Sequence, residues 1–234
     1  MSLNISLKRG LKINLKGSPD KVYASLQDSE DYVVKPTDFH LLTPKLVVKE
    51  NDKVKAGDTL FYDKYNDKIK FSAPVSGRIK AIVRGQKRRI LKVVIKADKD
   101  IKYRSFKVNS SDQLNRDQII ETMLESGVWP FIRQRPYDVI ANPKDMPKAI
   151  FISAFNSSPL SIDNDFALYG MEELFQKGIN YIRKLTTGKT HLNIDGSINA
   201  STVFSSAKGV QINKFRGPHP AGNVGVQIHH IDPI

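Results

Sequence analysis

The run PKLVVKENDKVKAGDTLFYDK, Pro44 to Lys64, decides the fold of the first half of this chain. Apolar and polar residues alternate along it, interrupted by Asn51-Asp52 and Gly57-Asp58, two pairs suited to tight turns. Alternation with period two buries one face of an extended strand, so the run predicts short strands joined by hairpins. IKFSAPVSGRIKAIVRGQKRRILKVVIKAD, Ile69 to Asp98, repeats the pattern, with turns expected at Ser76-Gly77 and from Arg84 to Lys87. No helix signal interrupts these segments. A small antiparallel β-domain is predicted over about residues 31–100, and residues 1–102 are assigned to it.

The pattern changes after Tyr103. SSDQLNRDQIIETMLESG, residues 110–127, begins with the capping residues Ser111 and Asp112. It places Ile119, Ile120, Met123 and Leu124 on one helical face and stops at Gly127. An extended basic stretch, VWPFIRQRPYDVIANP (128–143), leads to a buried-strand run, KAIFISAF (148–155). YGMEELFQKGINYIRKL (169–185) carries Met171, Leu174, Phe175, Ile182 and Leu185 at helical spacing. KTHLNID (189–195) reads as a strand, STVFSSAKG (201–209) as a short helix, and VQINKF (210–215) as another strand. Strands alternating with helices predict a parallel, Rossmann-like sheet over residues 103–234. The fold class is therefore α+β and α/β: an all-β module followed by a Rossmann-like α/β module.

Composition narrows the functions. Of 234 residues, 40 % are apolar and 9 % aromatic, enough for packed cores. Lys+Arg 37 against Asp+Glu 24 gives a net charge of +13, densest at Arg84-Gly-Gln-Lys-Arg-Arg89. Such an excess suits a solvated basic surface, an acidic protein, the anionic cytoplasmic face of a membrane, or nucleic acid. No apolar run approaches the roughly 20 residues of a membrane span. The start, Met1-Ser-Leu-Asn-Ile-Ser-Leu-Lys-Arg-Gly, does not read as a secretory signal, because its basic residues follow the apolar ones. With no cysteine, disulfides, iron–sulfur ligation and thiolate-bound zinc are excluded. The histidines at 40, 191, 219, 229 and 230 form no HxxxH or HxH pair, so no metal site is expected.

NDKVKAGDTL followed by APVSG resembles the biotinyl/lipoyl domains, so the first module is expected to be a barrel-sandwich. Those domains carry a modified lysine about seven positions after the Leu and seven before the Ala of A-P. Here these offsets fall on Asp67 and Asn66, and neither Lys64 nor Lys68 is in register. The resemblance thus implies the fold without a modified lysine.

Near the other end stands FRGPHPAGNVG, Phe215 to Gly225. Gly217 to Gly222 has the spacing of a P-loop, but Asn223 and Val224 replace the Lys and Ser/Thr. Pro218 and Pro220 also lack the backbone N–H groups that cradle phosphate. No G-x-G-x-x-G string occurs, so the α/β module has the frame of a nucleotide-binding domain without its glycine signature. No G-x-S-x-G elbow accompanies His219, which reads as part of a rigid corner or as a polar anchor at a ligand or subunit surface.

Four stretches then carry a family resemblance: Asp31–Lys64, Phe71–Asp98, ESGVWPFIRQRP (125–136) and FRGPHPAGNVGVQIHHIDP (215–233). Together they resemble the A subunits of the bacterial sodium-translocating NADH:quinone reductases, in order, from about Leu7 to Pro233. The resemblance implies a peripheral subunit on the cytoplasmic face of the inner membrane, in a respiratory complex coupling electron transport from NADH to ubiquinone with sodium transport. It also implies no tightly bound cofactor, a link to quinone, and partners among the other subunits, especially a membrane subunit. Members of that family are about twice as long, so the chain corresponds to their N-terminal half, and a fragment of this size is expected to be inactive alone.

Related flavin-binding subunits carry G-x-G-G-A-G-F-P after the first helix. Here Gly127 to Pro136 supplies Trp129, Phe131 and Ile132, which would obstruct flavin, and no FMN is expected. The family tends to read G-T-H-I-H after the proline corner, whereas this chain has Gly225-Val-Gln-Ile-His229, keeping only the second histidine. Trp129, Phe131, Arg133 and Arg135, with His219, are the candidate quinone-binding residues; in an extended stretch the two arginines point the same way. They could hydrogen-bond quinone oxygens. Against this stand a core role for Trp129 and Phe131 with arginines meeting a neighbour's carboxylates, a purely structural scaffold, and a basic nucleic-acid-binding module. The last lacks a helix-turn-helix or stacked-aromatic signature, and no nucleic-acid partner is expected.

Overall fold

The computed structural model describes residues 2–107, 110–200 and 202–234. The chain forms two compact units, one of Ser25–Asp145, the other of the chain up to Ala24 together with Met146–Ile234. In chain order the first strand, β1 (Asn4–Ser6), belongs to the second of these units.

Unit Ser25–Asp145 contains β2 (Asp31–Val34), β3 (Pro44–Leu46), β4 (Lys53–Val54), β5 (Thr59–Asp63), β6 (Asn66–Ser72), β7 (Gly77–Arg84) and β8 (Ile90–Ala97). They form two antiparallel sheets, ordered β2-β8-β7-β4 and β3-β5-β6. The alternation read from sequence is why: Leu60, Phe61, Ile79, Val93 and Ile95 are fully buried, and Phe61 stacks on Phe71 at 4.7 Å. The turns expected at Asn51-Asp52, Gly57-Asp58 and Arg84 to Lys87 are present, whereas the one expected at Ser76-Gly77 falls earlier, as a bend at Pro74-Val75, and Gly77 opens β7. Asn51 and Gly57 both take positive φ, and a Cβ on Gly77 would lie 2.0 Å from the Lys96 carbonyl oxygen.

Helix α1 (Arg116–Ser126) buries Ile119, Ile120 and Leu124 and ends at Gly127 in the left-handed conformation, as expected. Its N-cap is Asn115 rather than Ser111 or Asp112, which form a 3-10 turn instead. Asn115 wins because Gln118 lies three residues on, completing a capping box that Ser111 cannot form with Leu114. The stretch after Gly127 is not uniformly extended. Trp129–Phe131 make a 3-10 turn, then β9 (Arg133–Gln134) and β10 (Val139–Ile140) pair as a small antiparallel hairpin.

The compact units divide the chain elsewhere than the change of pattern at 102/103. Helix α1 packs on β6, and the turn at Trp129–Phe131 packs on both. Residues 103–145 therefore complete the β unit.

The other unit holds β11 (Ala149–Ser153), α2 (Asn164–Ala167), α3 (Glu172–Ile182), β12 (Lys189–Asp195), α4 (Thr202–Ser205), β13 (Gln211–Arg216) and α5 (Val224–Ile231). Its sheet, β1-β13-β12-β11, is wholly parallel. On one face Leu192 and Ile194 cluster with Val203 and Phe204 of α4 and Phe175 of α3; on the other Phe215 clusters with Phe155, Ala221 and Ile231. Three expectations change. β11 is an edge strand and only half-buried. Met171 and Leu174 are exposed, and Ile179 is the buried anchor of α3, with Leu185 buried in a following 3-10 turn. α4 lies where a short helix was expected; Ser201, the first residue of that run, is outside the described residues.

Candidate functional site

Four of the five candidate residues lie in and beside one hairpin of unit Ser25–Asp145. Trp129 is 3 % exposed and its indole N–H donates to the Ala141 carbonyl at 2.8 Å, so its ring belongs to the core and props the hairpin from below. Phe131, two residues on, is 73 % exposed. Its only ring neighbour among the described residues is Phe39, edge-on at 6.1 Å.

Arg133, in β9, and Arg135, just beyond its end, reach the same carboxylate. Arg133 Nε lies 3.4 Å and Arg135 Nη2 3.6 Å from the same oxygen, Oδ1 of Asp138. One carboxylate faces two guanidinium groups, leaving one positive charge and most of their N–H donors unengaged. The hairpin itself is well held. Ala141 N–H donates to Ile132, Asn142 N–H to Gln134 Oε1, and Arg116 Nη2 to the Asp145 carbonyl at 2.7 Å. A rigid edge thus presents an apolar ring and a pair of partly screened guanidinium groups. Such a surface can hold a flat apolar ring and donate to its oxygens.

His219 belongs to the other unit. Its Nδ1 lies 3.1 Å from Ser157 Oγ, which also accepts the Gly222 N–H at 2.8 Å. Its own carbonyl accepts the Leu11 N–H. Two further corner donors turn inward: Ala221 N–H bonds Pro218 and Asn223 N–H bonds Pro220. Gly217 sits at φ +133°, and a Cβ on Gly222 would fall 2.1 Å from the Ser157 nitrogen. The glycines here serve close backbone packing. The imidazole has no second ring hydrogen bond among the described residues, so no third group orients it as an acyl-transfer base.

Sequence reasoning missed three neighbours. Asp138 could have been found, standing three residues after Arg135 in a turn; Phe39 and Ser157 had no local signal. It also missed a buried polar chain on the α5 face of the parallel sheet. Asn213 donates to Asn193 at 2.9 Å, Asn193 to Gln227 of α5 at 2.9 Å, and Asn213 Nδ2 lies 3.2 Å from His191 Nδ1. His191 stacks on Phe151 at 4.6 Å. Burial holds its pKa below the usual histidine range, nearby Lys189 adds to this, and Asp232 opposes it.

At the β5–β6 hairpin, Lys64 and Tyr65 form the two-residue turn and Lys68 lies within β6. No helix among the described residues is long and apolar enough to cross a membrane.

Taken together, the chain pairs a barrel-sandwich β unit with a Rossmann-like α/β unit that lacks a nucleotide glycine loop. Two family models match in that order: residues 5–98 match the "NqrA N-terminal barrel-sandwich hybrid domain" and residues 114–234 the "NqrA second alpha/beta domain". The chain belongs to the NqrA family. Among curated relatives, the A-type subunit of the Na(+)-translocating NADH-quinone reductase of Yersinia pseudotuberculosis serotype O:1b (strain IP 31758) is 34 % identical over 98 % of this chain and 52 % of its own length. The protein of the same name from Photorhabdus laumondii is 33 % identical, and that from Pasteurella multocida 32 %, with the same coverage. The chain spans about half the length of the curated relatives it matches. The expected fold class and family agree with these matches.

Proposed function

We propose that this chain works as part of the NqrA component of a sodium-translocating NADH–quinone reductase. There it is a peripheral, cytoplasm-facing portion with no tightly bound redox cofactor of its own, and it docks on the membrane subunits of the complex. The observation that carries this reading is the run of two successive family domains over nearly the whole chain. Its contribution to quinone binding lies at the hairpin edge of Phe131, Arg133 and Arg135. Phe131 offers an exposed ring, and the two guanidinium groups share a single carboxylate. Hydrogen bonds from them would strengthen as negative charge builds on a quinone oxygen during reduction. Trp129 acts by holding this edge from the core, and His219 remains a weaker candidate in the other unit. The buried indole and the bulky Phe131 and Ile132 also speak against FMN here, because flavin needs close backbone approach.

The test is Arg135→Ala in the full reductase. Quinone reductase activity is expected to fall about tenfold through a higher KM, with subunit stoichiometry unchanged on native gels. Loss of assembly instead would make this edge a docking surface and the chain a structural scaffold.

A further inference from the structure

The turn from α3 into β12 forms a basic cavity that the quinone reading does not use. The cavity is about 480 Å³ and opens at the N-terminal edge of the parallel sheet. That is within the range of about 300–1,000 Å³ typical of small-molecule sites. Arg183, Lys184, Thr186, Lys189, Thr190 and Gly209 line it, and no acidic residue does.

The local fold produces this arrangement. Leu185 is buried in the 3-10 turn Arg183–Leu185, which leaves the neighbouring basic side chains at the surface. Thr186 Oγ1 donates to the Pro147 carbonyl at 2.6 Å and accepts the Gly188 N–H at 2.9 Å, fixing the turn. Arg183 lies across Gly209, where a Cβ would come within 2.4 Å of its Nη1; Gly209 also takes φ +78°. Glycine there makes room for the guanidinium.

Two further observations point to a ligand. Thr190 is 6 % exposed, yet its hydroxyl has no hydrogen-bond partner among the described residues. Buried hydroxyls are ordinarily bonded, because leaving one unpaired is costly. The side chains of Arg183 and Lys189 likewise form no ion pair or hydrogen bond among the described residues. The C-terminal end of α3 attracts cations, but with only about half an elementary charge. Arg183 and Lys189 together exceed that need.

We propose that this cavity binds a phosphate group, with Arg183 as the bidentate donor, Lys189 as the point charge and the Thr190 hydroxyl as the third donor. Its volume leaves space for the organic part of a small phosphorylated ligand or for a phospholipid headgroup.

Equilibrium dialysis of the 234-residue chain with labelled pyrophosphate tests the site. Sedimentation with phosphatidylglycerol vesicles, against phosphatidylcholine controls, separates the two sources. Saturable binding is expected with a Kd below about 1 mM, which Arg183→Ala weakens about tenfold and Thr190→Val about fivefold. Arg84→Ala, in the basic run of the other unit, should change nothing. Should Arg183→Ala fail to fold by circular dichroism, Arg183→Lys keeps the charge, removes the fork and is expected to weaken binding. Binding of pyrophosphate identifies a soluble ligand, and variant-sensitive binding to the anionic vesicles alone identifies a headgroup. Absence of saturable binding to both, or equal loss with Arg84→Ala, would overturn the proposal.

Discussion

Arg133 and Arg135 show how much a single carboxylate decides. Asp138 holds both guanidinium groups to one side of the hairpin, at 3.4 and 3.6 Å. Asp138→Asn would free both arginines and raise the local positive charge by one unit. It is expected to alter quinone KM in the full reductase while leaving the thermal midpoint of this chain within about 2 °C, since exposed ion pairs contribute little. His191 makes a different residue-scale case. Its pKa is depressed chiefly by burial and further by Lys189, against the pull of Asp232. The folded state therefore binds fewer protons there than the unfolded chain once pH drops below about 6.5, the ordinary histidine value. Stability should be full above that pH and decline as pH falls toward the depressed folded value. Urea unfolding at pH 7.5 and 5.5 should show the decline, and His191→Gln should flatten part of it.

At the scale of elements, the interactions that matter are those tying one element to the next. The chain Asn213–Asn193–Gln227 links β13, β12 and α5, and all three side chains are fully buried. Asn213→Leu removes the shared partner and leaves buried amide groups unpaired. A loss of about 1–3 kcal/mol in urea unfolding is expected. Gly127→Ala probes the end of α1. The residue takes φ +76°, and a Cβ would sit 2.2 Å from Ser72 Oγ of β6. Strain and displacement together should cost at least about 1 kcal/mol, read from the same unfolding curves. The helix and its stop at Gly127 were legible from the spacing of Ile119, Ile120 and Leu124 and from the glycine itself. The N-cap was not, because Ser111, Asp112 and Asn115 are all good caps and only the partner at Gln118 separates them.

For the whole molecule, the informative cut is at the unit boundary. A fragment of residues 25–145 contains α1 and the β9–β10 hairpin together with the strand they pack on. It should unfold cooperatively. A fragment of residues 25–102 leaves the α1-covered side of β6 open to water and should be less stable or aggregate, as thermal unfolding and size-exclusion chromatography would show. The candidate quinone edge lies wholly inside the longer fragment.

Alternation of apolar and polar residues from Pro44 to Asp98, and helical spacing broken by strands from Arg116 onward, determined the fold class without coordinates. Those signals are local: a period of two or of 3.6 is written into consecutive residues. Prolines 218 and 220 likewise excluded a phosphate cradle on covalent grounds alone. What the tertiary structure decided depends on residues far apart in sequence. Asn4–Ser6 joins β13 some two hundred residues away, Phe39 meets Phe131, and Ser157 meets His219. Trp129 and Phe131 look alike as sequence, two aromatics flanking a proline. Only packing sends one into the core and leaves the other on the surface, since burial follows from which distant strands and helices close over a ring.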